Sequence, residues 1–170
     1  MTAFTSWVRQ RPSWPAVVSF ILSLWFGGSL ILDFVVMPSL YSAGMMTEPG
    51  FASAGYLTFE RFNHIELIFA GVALTGVLVL NYTRHFFGTQ TRKAIILSIL
   101  LLGVALTYTY FFTPQMSALG IQLDALEPAV EIPKAMASMH QGYWILEILK
   151  LVSVWLLMRL CCSRPTVQNA

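Results

Sequence analysis

The chain has 170 residues, of which 56% are hydrophobic and only 11% are charged, whereas a soluble domain of this size carries about 25% charged residues. This chain has too few charged residues to cover the water-facing surface of a soluble protein. Its net charge of +2 is too small to indicate a nucleic-acid-binding surface. The two cysteines, Cys161 and Cys162, are adjacent, which excludes a disulfide framework within the chain. We therefore expect one membrane domain over residues 1–170, with the lipid bilayer as a partner and no nucleic acid.

Four stretches are long and apolar enough for membrane-spanning helices, each of which needs about 20 residues. They cover residues 16–37, 62–82, 94–113 and 141–162. Pro38 and Pro114 follow the first and third stretches, and they are predicted to end those helices because proline lacks the N–H that a continuing helix needs. The predicted fold is an all-α, integral membrane four-helix bundle.

The positions of the lysines and arginines predict the orientation of this bundle. With four spans, seven of the ten cationic residues fall on one side, and cytoplasmic loops carry the excess of Lys and Arg. Both termini are therefore predicted to be cytoplasmic, with the two longer loops, residues 38–60 and 114–139, on the opposite side. Aromatic residues near the outer helix ends, Tyr108 and Tyr143 among them, fit an interfacial belt. The seven cations are Arg9, Arg11, Arg84, Arg92, Lys93, Arg159 and Arg164.

Charged and polar residues inside the spans are the first candidates for a site, because an ionisable group in a membrane is costly and needs a partner or a function. At about 1.5 Å per residue, most of these residues lie about one or two turns below the outer helix ends, with Lys150 nearer the midplane. Two interpretations stay open: the groups neutralise one another and hold the helices together, or they form a site open to the outer side. This predicted polar layer comprises Asp33, Glu66, Glu147, Lys150, Arg61 and Asn63.

Two spacings support contacts within the layer. Lys150 follows Glu147 by three residues, which permits an ion pair along one helix. Trp25, Ser29 and Asp33 form a stripe on the first span.

Four residues near the outer ends of the second and fourth spans suggest a soft-metal site. Met136, Met139 and His140 lie within five residues, and His64 begins the second span at the same level. Thioethers and imidazoles together favour Cu(I). The two histidines also fit axial haem ligation, and a single histidine could bind a chlorophyll magnesium. Cu(I), haem and chlorophyll are therefore the candidate cofactors, and no spacing here is diagnostic of any of them.

Several segments resemble a small membrane family, the domain of unknown function 4149. They are residues 24–29 (LWFGGS), 35–40 (VVMPSL), 59–66 (FERFNHIE) and 140–150 (HQGYWILEILK). The resemblance extends over about residues 16–160 and implies four helices, with no catalytic residue to carry over. The chain resembles versions from oxygenic photosynthetic bacteria, which implies a plasma or thylakoid membrane. A distant likeness to copper-resistance membrane domains favours the soft-metal alternative.

The sequence contains none of the enzymatic motifs of phosphate-binding, hydrolase or metalloprotease sites. We therefore predict a non-enzymatic membrane protein that acts as an accessory or assembly subunit of a larger membrane complex, for which a photosynthetic complex is a candidate. The alternatives are a soft-metal (copper) or small-ion handling protein and a haem- or pigment-binding protein. Other membrane proteins are the expected partners.

Overall fold

The computed structural model describes residues 14–45, 48, 50–84, 87–125 and 134–162, and every regular element in these ranges is helical. Two π-helical turns each join a pair of helices: Leu32–Val36 lies between α1 and α2, and Tyr108–Phe112 lies between α4 and α5. The all-α fold predicted from the sequence is confirmed. The helices are α1 (Trp14–Ile31), α2 (Met37–Ser42), α3 (Phe51–Arg84), α4 (Thr91–Thr107), α5 (Thr113–Ala125) and α6 (Lys134–Cys162).

Three continuous helical stretches are long and apolar enough to cross a membrane, judged by length and composition. They are Trp14–Ser42, Ser53–Thr83 and Gly88–Leu119, and they contain the first three predicted spans. Helix α6 contains the fourth predicted span and has 29 residues, but it is not among these three stretches. The membrane character of the chain is thereby confirmed, together with three of the four helices expected to span the bilayer.

The two prolines predicted to end helices do not end them. Pro38 is the second residue of α2 and Pro114 the second residue of α5, and a π-helical turn precedes each of these helices. A π turn shifts the backbone hydrogen bonds to the i→i+5 pattern, so the helix continues although the proline has no N–H to donate. The prediction was wrong because it was based on the missing N–H of proline alone. It did not allow for a π turn that shifts the hydrogen-bond pattern and lets the helix continue.

Most of the two predicted loops is helical as well. Residues 38–60 include α2 and the beginning of α3, and residues 114–139 include α5 and the beginning of α6. With 34 residues, α3 is about 51 Å long and exceeds a hydrocarbon core of about 30 Å. Because the helices are longer than predicted, Glu66 and Glu147 lie near the middle of α3 and α6, not within one or two turns of their ends.

Four of the helices pack around a common interior in the order α1, α3, α4, α6, with α6 returning to α1. Helices α3 and α6 therefore lie diagonally opposite each other, as do α1 and α4. At Gly76 of α3, an added Cβ would overlap Cγ2 of Val18, so this glycine permits the close approach of α1 and α3. The apolar core includes Val18, Leu22, Ala73, Val77, Leu101 and Leu157.

Candidate functional site

Lys150 of α6 lies at the centre of a buried group of charged side chains. Its Nζ atom is 2.8 Å from Oε2 of Glu147, one turn earlier on α6, and 2.5 Å from Oε1 of Glu66 on α3. Because α3 and α6 are diagonal neighbours, the Lys150–Glu66 ion pair crosses the interior of the bundle. Together with Asp33 these residues form what we call the charged cluster, and their exposed fractions are 5% for Asp33, 1% for Lys150 and 0% for both glutamates.

Helix α1 contributes two hydrogen-bond donors to Glu66. Nε1 of Trp25 donates to Oε1 of Glu66 over 2.9 Å, and Oγ of Ser29 donates to the same oxygen over 3.1 Å. The two donors are one helical turn apart and therefore face the same side of α1. With the Lys150 ammonium, Oε1 of Glu66 accepts three hydrogen bonds.

Each π turn adds a polar side chain to this interior. The first contains Asp33, whose Oδ1 accepts a hydrogen bond of 3.2 Å from the hydroxyl of Tyr143. The second contains Tyr108, whose hydroxyl is 3.1 Å from Oε2 of Glu147 and 3.1 Å from the carbonyl oxygen of Tyr143. A tyrosine hydroxyl has one proton, so the two acceptors compete for it. In both cases, the π turn that lets the helix continue past its proline is therefore also the segment that contributes a polar side chain to the cluster.

The cluster contains more acidic groups than its donors satisfy. Asp33 and Glu147 are neighbours in the bundle, because the Tyr143 hydroxyl bonds to Asp33 and Tyr143 lies one turn before Glu147 on α6. Two ionised carboxylates have no proton to share. Three buried oxygens have no hydrogen-bond partner among the described residues: Oδ2 of Asp33, Oε2 of Glu66 and Oε1 of Glu147. If every group is ionised, three negative charges face one positive charge.

The ammonium of Lys150 also lies near two aromatic rings. Its Nζ is 5.2 Å from the ring centroid of Tyr108 and 5.9 Å from that of Phe62. Such contacts stabilise a cation by about 0.5–2 kcal/mol. They favour the charged form of the lysine without reducing the negative charge of the cluster.

The other two residues of the predicted polar layer are placed differently. Asn63 is buried and donates from Nδ2 to Oγ1 of Thr113 over 2.5 Å, while its backbone oxygen accepts a bond of 3.4 Å from Oγ1 of Thr109. It therefore joins α3 to the second π turn and α5 beside the cluster. Arg61 has an exposed side chain, unlike the buried residues of the cluster.

The predicted soft-metal residues lie on the surface where they are described. His64 and His140 have exposed side chains and Met139 is half-buried, while the side chain of Met136 lies outside the described residues. Nδ1 of His64 is 2.7 Å from the carbonyl oxygen of Glu60, so Nδ1 carries the proton and only Nε2 is open to a ligand. Among the described residues, no three His, Cys, Asp or Glu side chains are arranged to hold a metal ion. The copper site stays a prediction.

Sequence reasoning missed Tyr108 and Tyr143 as members of the site. The sequence places both in an interfacial belt, whereas Tyr108 is fully buried and both hydroxyls bond to the charged cluster. Tyr143 precedes Glu147 by four residues, a spacing that puts both side chains on one face of a helix and could have identified it. The stripe of Trp25, Ser29 and Asp33 on the first span did identify the three side chains that face the site from the N-terminal helix.

One of three comparisons with known proteins gave a match, and it covers the segment from within α1 to within α5. The model of the family Domain of unknown function (DUF4149) matches residues 20–123. The match includes Asp33, Glu66 and Tyr108, and it ends before α6. Searches of curated proteins and of solved structures gave no significant match. Because the matched segment is more than half of the chain, this protein belongs to the family described as Domain of unknown function (DUF4149).

Proposed function

We propose that this chain is a non-enzymatic integral membrane protein that binds a small cation, with a proton as the first candidate, at the charged cluster. The supporting observation is the charge imbalance of the cluster, in which three carboxyl groups share one lysine and all four side chains are at most 5% exposed. Small-ion handling is one of the alternatives that the sequence left open. The buried carboxyl oxygens without partners favour it over the others.

The physical argument concerns the cost of buried charge. An ionised carboxylate taken out of water costs several kcal/mol, and ionisable groups inside membranes are usually paired or line an ion path. Lys150 compensates one negative charge, so two carboxyl groups remain to be neutralised. A proton or a small cation that binds at the cluster removes part of this cost. The cluster therefore has an intrinsic affinity for positive charge.

The proposed membrane arrangement has four spans, including α6, with both termini in the cytoplasm. Its support is the positive charge at the connection between α3 and α4, where Arg92 and Lys93 are exposed. Arg9, Arg11 and Arg164, which belong to the same argument, lie outside the described residues. Titratable residues are scarce in the cytoplasmic half of every span. This distribution favours a site that exchanges its ion with the outer side over a relay across the whole membrane.

The other functions predicted from the sequence stay predictions. An accessory or assembly subunit, in a thylakoid or plasma membrane, would co-purify with defined membrane proteins in mild detergent. A copper, haem or chlorophyll protein would retain its cofactor, which metal analysis and an absorption spectrum of the same preparation would reveal. The charge imbalance of the cluster is independent of all of these partners.

The proposal is tested by the stability of the purified protein. Ligands that bind only the folded state stabilise it by mass action, so thermal unfolding in detergent is measured against pH and against Li⁺, Na⁺ and K⁺ at constant ionic strength. We expect the midpoint of the wild-type protein to rise with proton or cation concentration. In the combined variant Asp33→Asn/Glu147→Gln this dependence should be largely lost.

The control is Glu48→Gln, because Glu48 is exposed and outside the cluster. It should follow the wild-type dependence. The proposal is rejected if the wild-type and the combined variant respond identically to pH and to all three cations. The cluster would then serve only to hold the helices together.

A further inference from the structure

We infer that the bound ion is a single proton held between the carboxyl groups of Asp33 and Glu147, with Asp33 as the group that carries it. This inference rests on the proposed function and assigns its ion and the carboxyl group that carries it. Each of the two carboxyl groups has one buried oxygen without a partner among the described residues, Oδ2 of Asp33 and Oε1 of Glu147. The two residues are neighbours in the bundle, because the Tyr143 hydroxyl bonds to Asp33 and Tyr143 lies one turn before Glu147 on α6. A proton on one of these carboxyl groups turns it into a hydrogen-bond donor for the other.

The donors around each carboxyl group indicate which one takes the proton. Oε1 of Glu66 accepts bonds from an ammonium, an indole and a hydroxyl. Oε2 of Glu147 faces the same ammonium and the Tyr108 hydroxyl. Asp33 receives one neutral donor, the Tyr143 hydroxyl. Because hydrogen bonds to the charged form stabilise it, Asp33 is the least stabilised as an anion and is the carboxyl group that becomes protonated.

The charged and titratable groups around the pair come from three segments: α6, α3 and the second π turn. From α6, Tyr143 bonds to Asp33 and Lys150 pairs with Glu147. Glu66 of α3 pairs with the same lysine, and Tyr108 of the second π turn bonds to Glu147. With Asp33 neutral, Lys150 balances one of the two glutamates and one negative charge remains. That charge is shared by the carboxylates of Glu66 and Glu147, which together accept the hydrogen bonds from all the other donors of the cluster.

Asp33 is also the least buried member of the charged cluster. Asp33 is 5% exposed, whereas Glu66 and Glu147 are fully buried. Tyr143, its hydroxyl partner, is half-buried. Asp33 is therefore the carboxyl group of the cluster nearest the molecular surface, and a proton that binds or leaves there does not disturb the Lys150–Glu66 ion pair.

Infrared difference spectroscopy on the full-length protein in lipid tests the assignment. A protonated carboxyl group gives a C=O stretching band above the amide region, and this band shifts in D₂O. We expect one such band in the wild-type protein, which disappears as the pH is raised. The band should be absent at every pH from both Asp33→Asn and Glu147→Gln. In Asp33→Asn, the amide group can donate a hydrogen bond to Glu147, so that no carboxyl group has to bind a proton. The matched control Glu48→Gln should keep the wild-type band.

The possible results distinguish a failure of this inference from a failure of the proposed function. A wild-type band that survives in either Asp33→Asn or Glu147→Gln overturns the inference and leaves the proposed function standing, with the proton held differently. No band at any pH, with stability that depends on an alkali cation, overturns the inference and assigns a different ion. No band and no dependence on pH or cations overturns both. If Asp33→Asn fails to fold, Glu147→Gln alone decides, because it removes the acceptor of the same proton.

Discussion

Lys150 of α6 and Glu66 of α3 form an ion pair of 2.5 Å although they are 84 residues apart in the sequence and belong to diagonally opposite helices. This contact is long-range, in contrast to the pair that Lys150 makes with Glu147 one turn away. Through it, the lysine holds the two halves of the bundle together at the level of the charged cluster. Its removal is therefore the most direct test of how the cluster contributes to stability.

Replacement of Lys150 by methionine should lower the free energy of unfolding strongly. Breaking a buried pair by removing one partner costs about 3–5 kcal/mol, because Glu66 and Glu147 would both lose their counter-ion. Thermal unfolding in detergent measures the effect, and Lys93→Met is the control because Lys93 is exposed. The triple variant Lys150→Met/Glu66→Gln/Glu147→Gln should recover part of the loss. Equal midpoints for Lys150→Met and Lys93→Met would contradict a stabilising ion pair.

Tyr108→Phe should destabilise the protein by removing one hydroxyl from the cluster. Both Oε2 of Glu147 and the carbonyl of Tyr143 would lose this donor, and a hydrogen bond to a charged group is worth about 1.5–3 kcal/mol. Tyr110→Phe is a matched control, since Tyr110 lies in the same π turn and is 68% exposed. Chemical or thermal unfolding of the two variants gives the comparison. Comparable losses in both would show that the Tyr108 hydroxyl contributes nothing specific.

The sequence predicted the residues of the cluster better than their connections. Asp33, Glu66, Glu147 and Lys150 were identified because charge inside an apolar stretch is costly wherever the stretch folds. The Glu147–Lys150 pair followed from helical spacing alone. The Lys150–Glu66 pair did not, because it depends on which helices are diagonal neighbours. A single sequence does not contain that relationship in any local pattern.

The position of Tyr108 was missed for a different reason. A helix that ended at Pro114 would bring Tyr108 near the membrane boundary, where tyrosines are common. The second π turn instead carries the helix past the proline, so Tyr108 lies in the bundle interior. The same error at Pro38 shortened the first helix and made Asp33 look closer to a helix end than it is. Both errors come from a change of helical register that residue preferences do not encode.

Gly76→Ala should destabilise the contact between α1 and α3. The added methyl group would overlap Cγ2 of Val18, and a β-branched side chain has little rotational freedom with which to move aside. Overpacking of this kind costs about 1–3 kcal/mol. Gly71→Ala on the same helix is the control, because a Cβ there meets no heavy atom within 4 Å. If the two alanine variants unfold at the same temperature, α1 and α3 are not in the close contact described.

The orientation of the bundle is predicted from charge and can be tested without purified protein. Reporter domains fused after Arg92 and after Arg164 should report a cytoplasmic location, and fusions near Glu48 and Glu127 should report the opposite side. The reason is the excess of arginine and lysine at the α3–α4 connection and at the two ends of the chain, which the translocation machinery retains in the cytoplasm. The fusion after Arg164 is the sharpest test, because α6 carries Glu147, Lys150 and Arg159 and crosses the membrane only if the cluster shields its charges. A cytoplasmic signal after Arg92 together with an external signal after Arg164 would mean that α6 does not span the bilayer. The charged cluster would then need a different membrane arrangement from the one proposed.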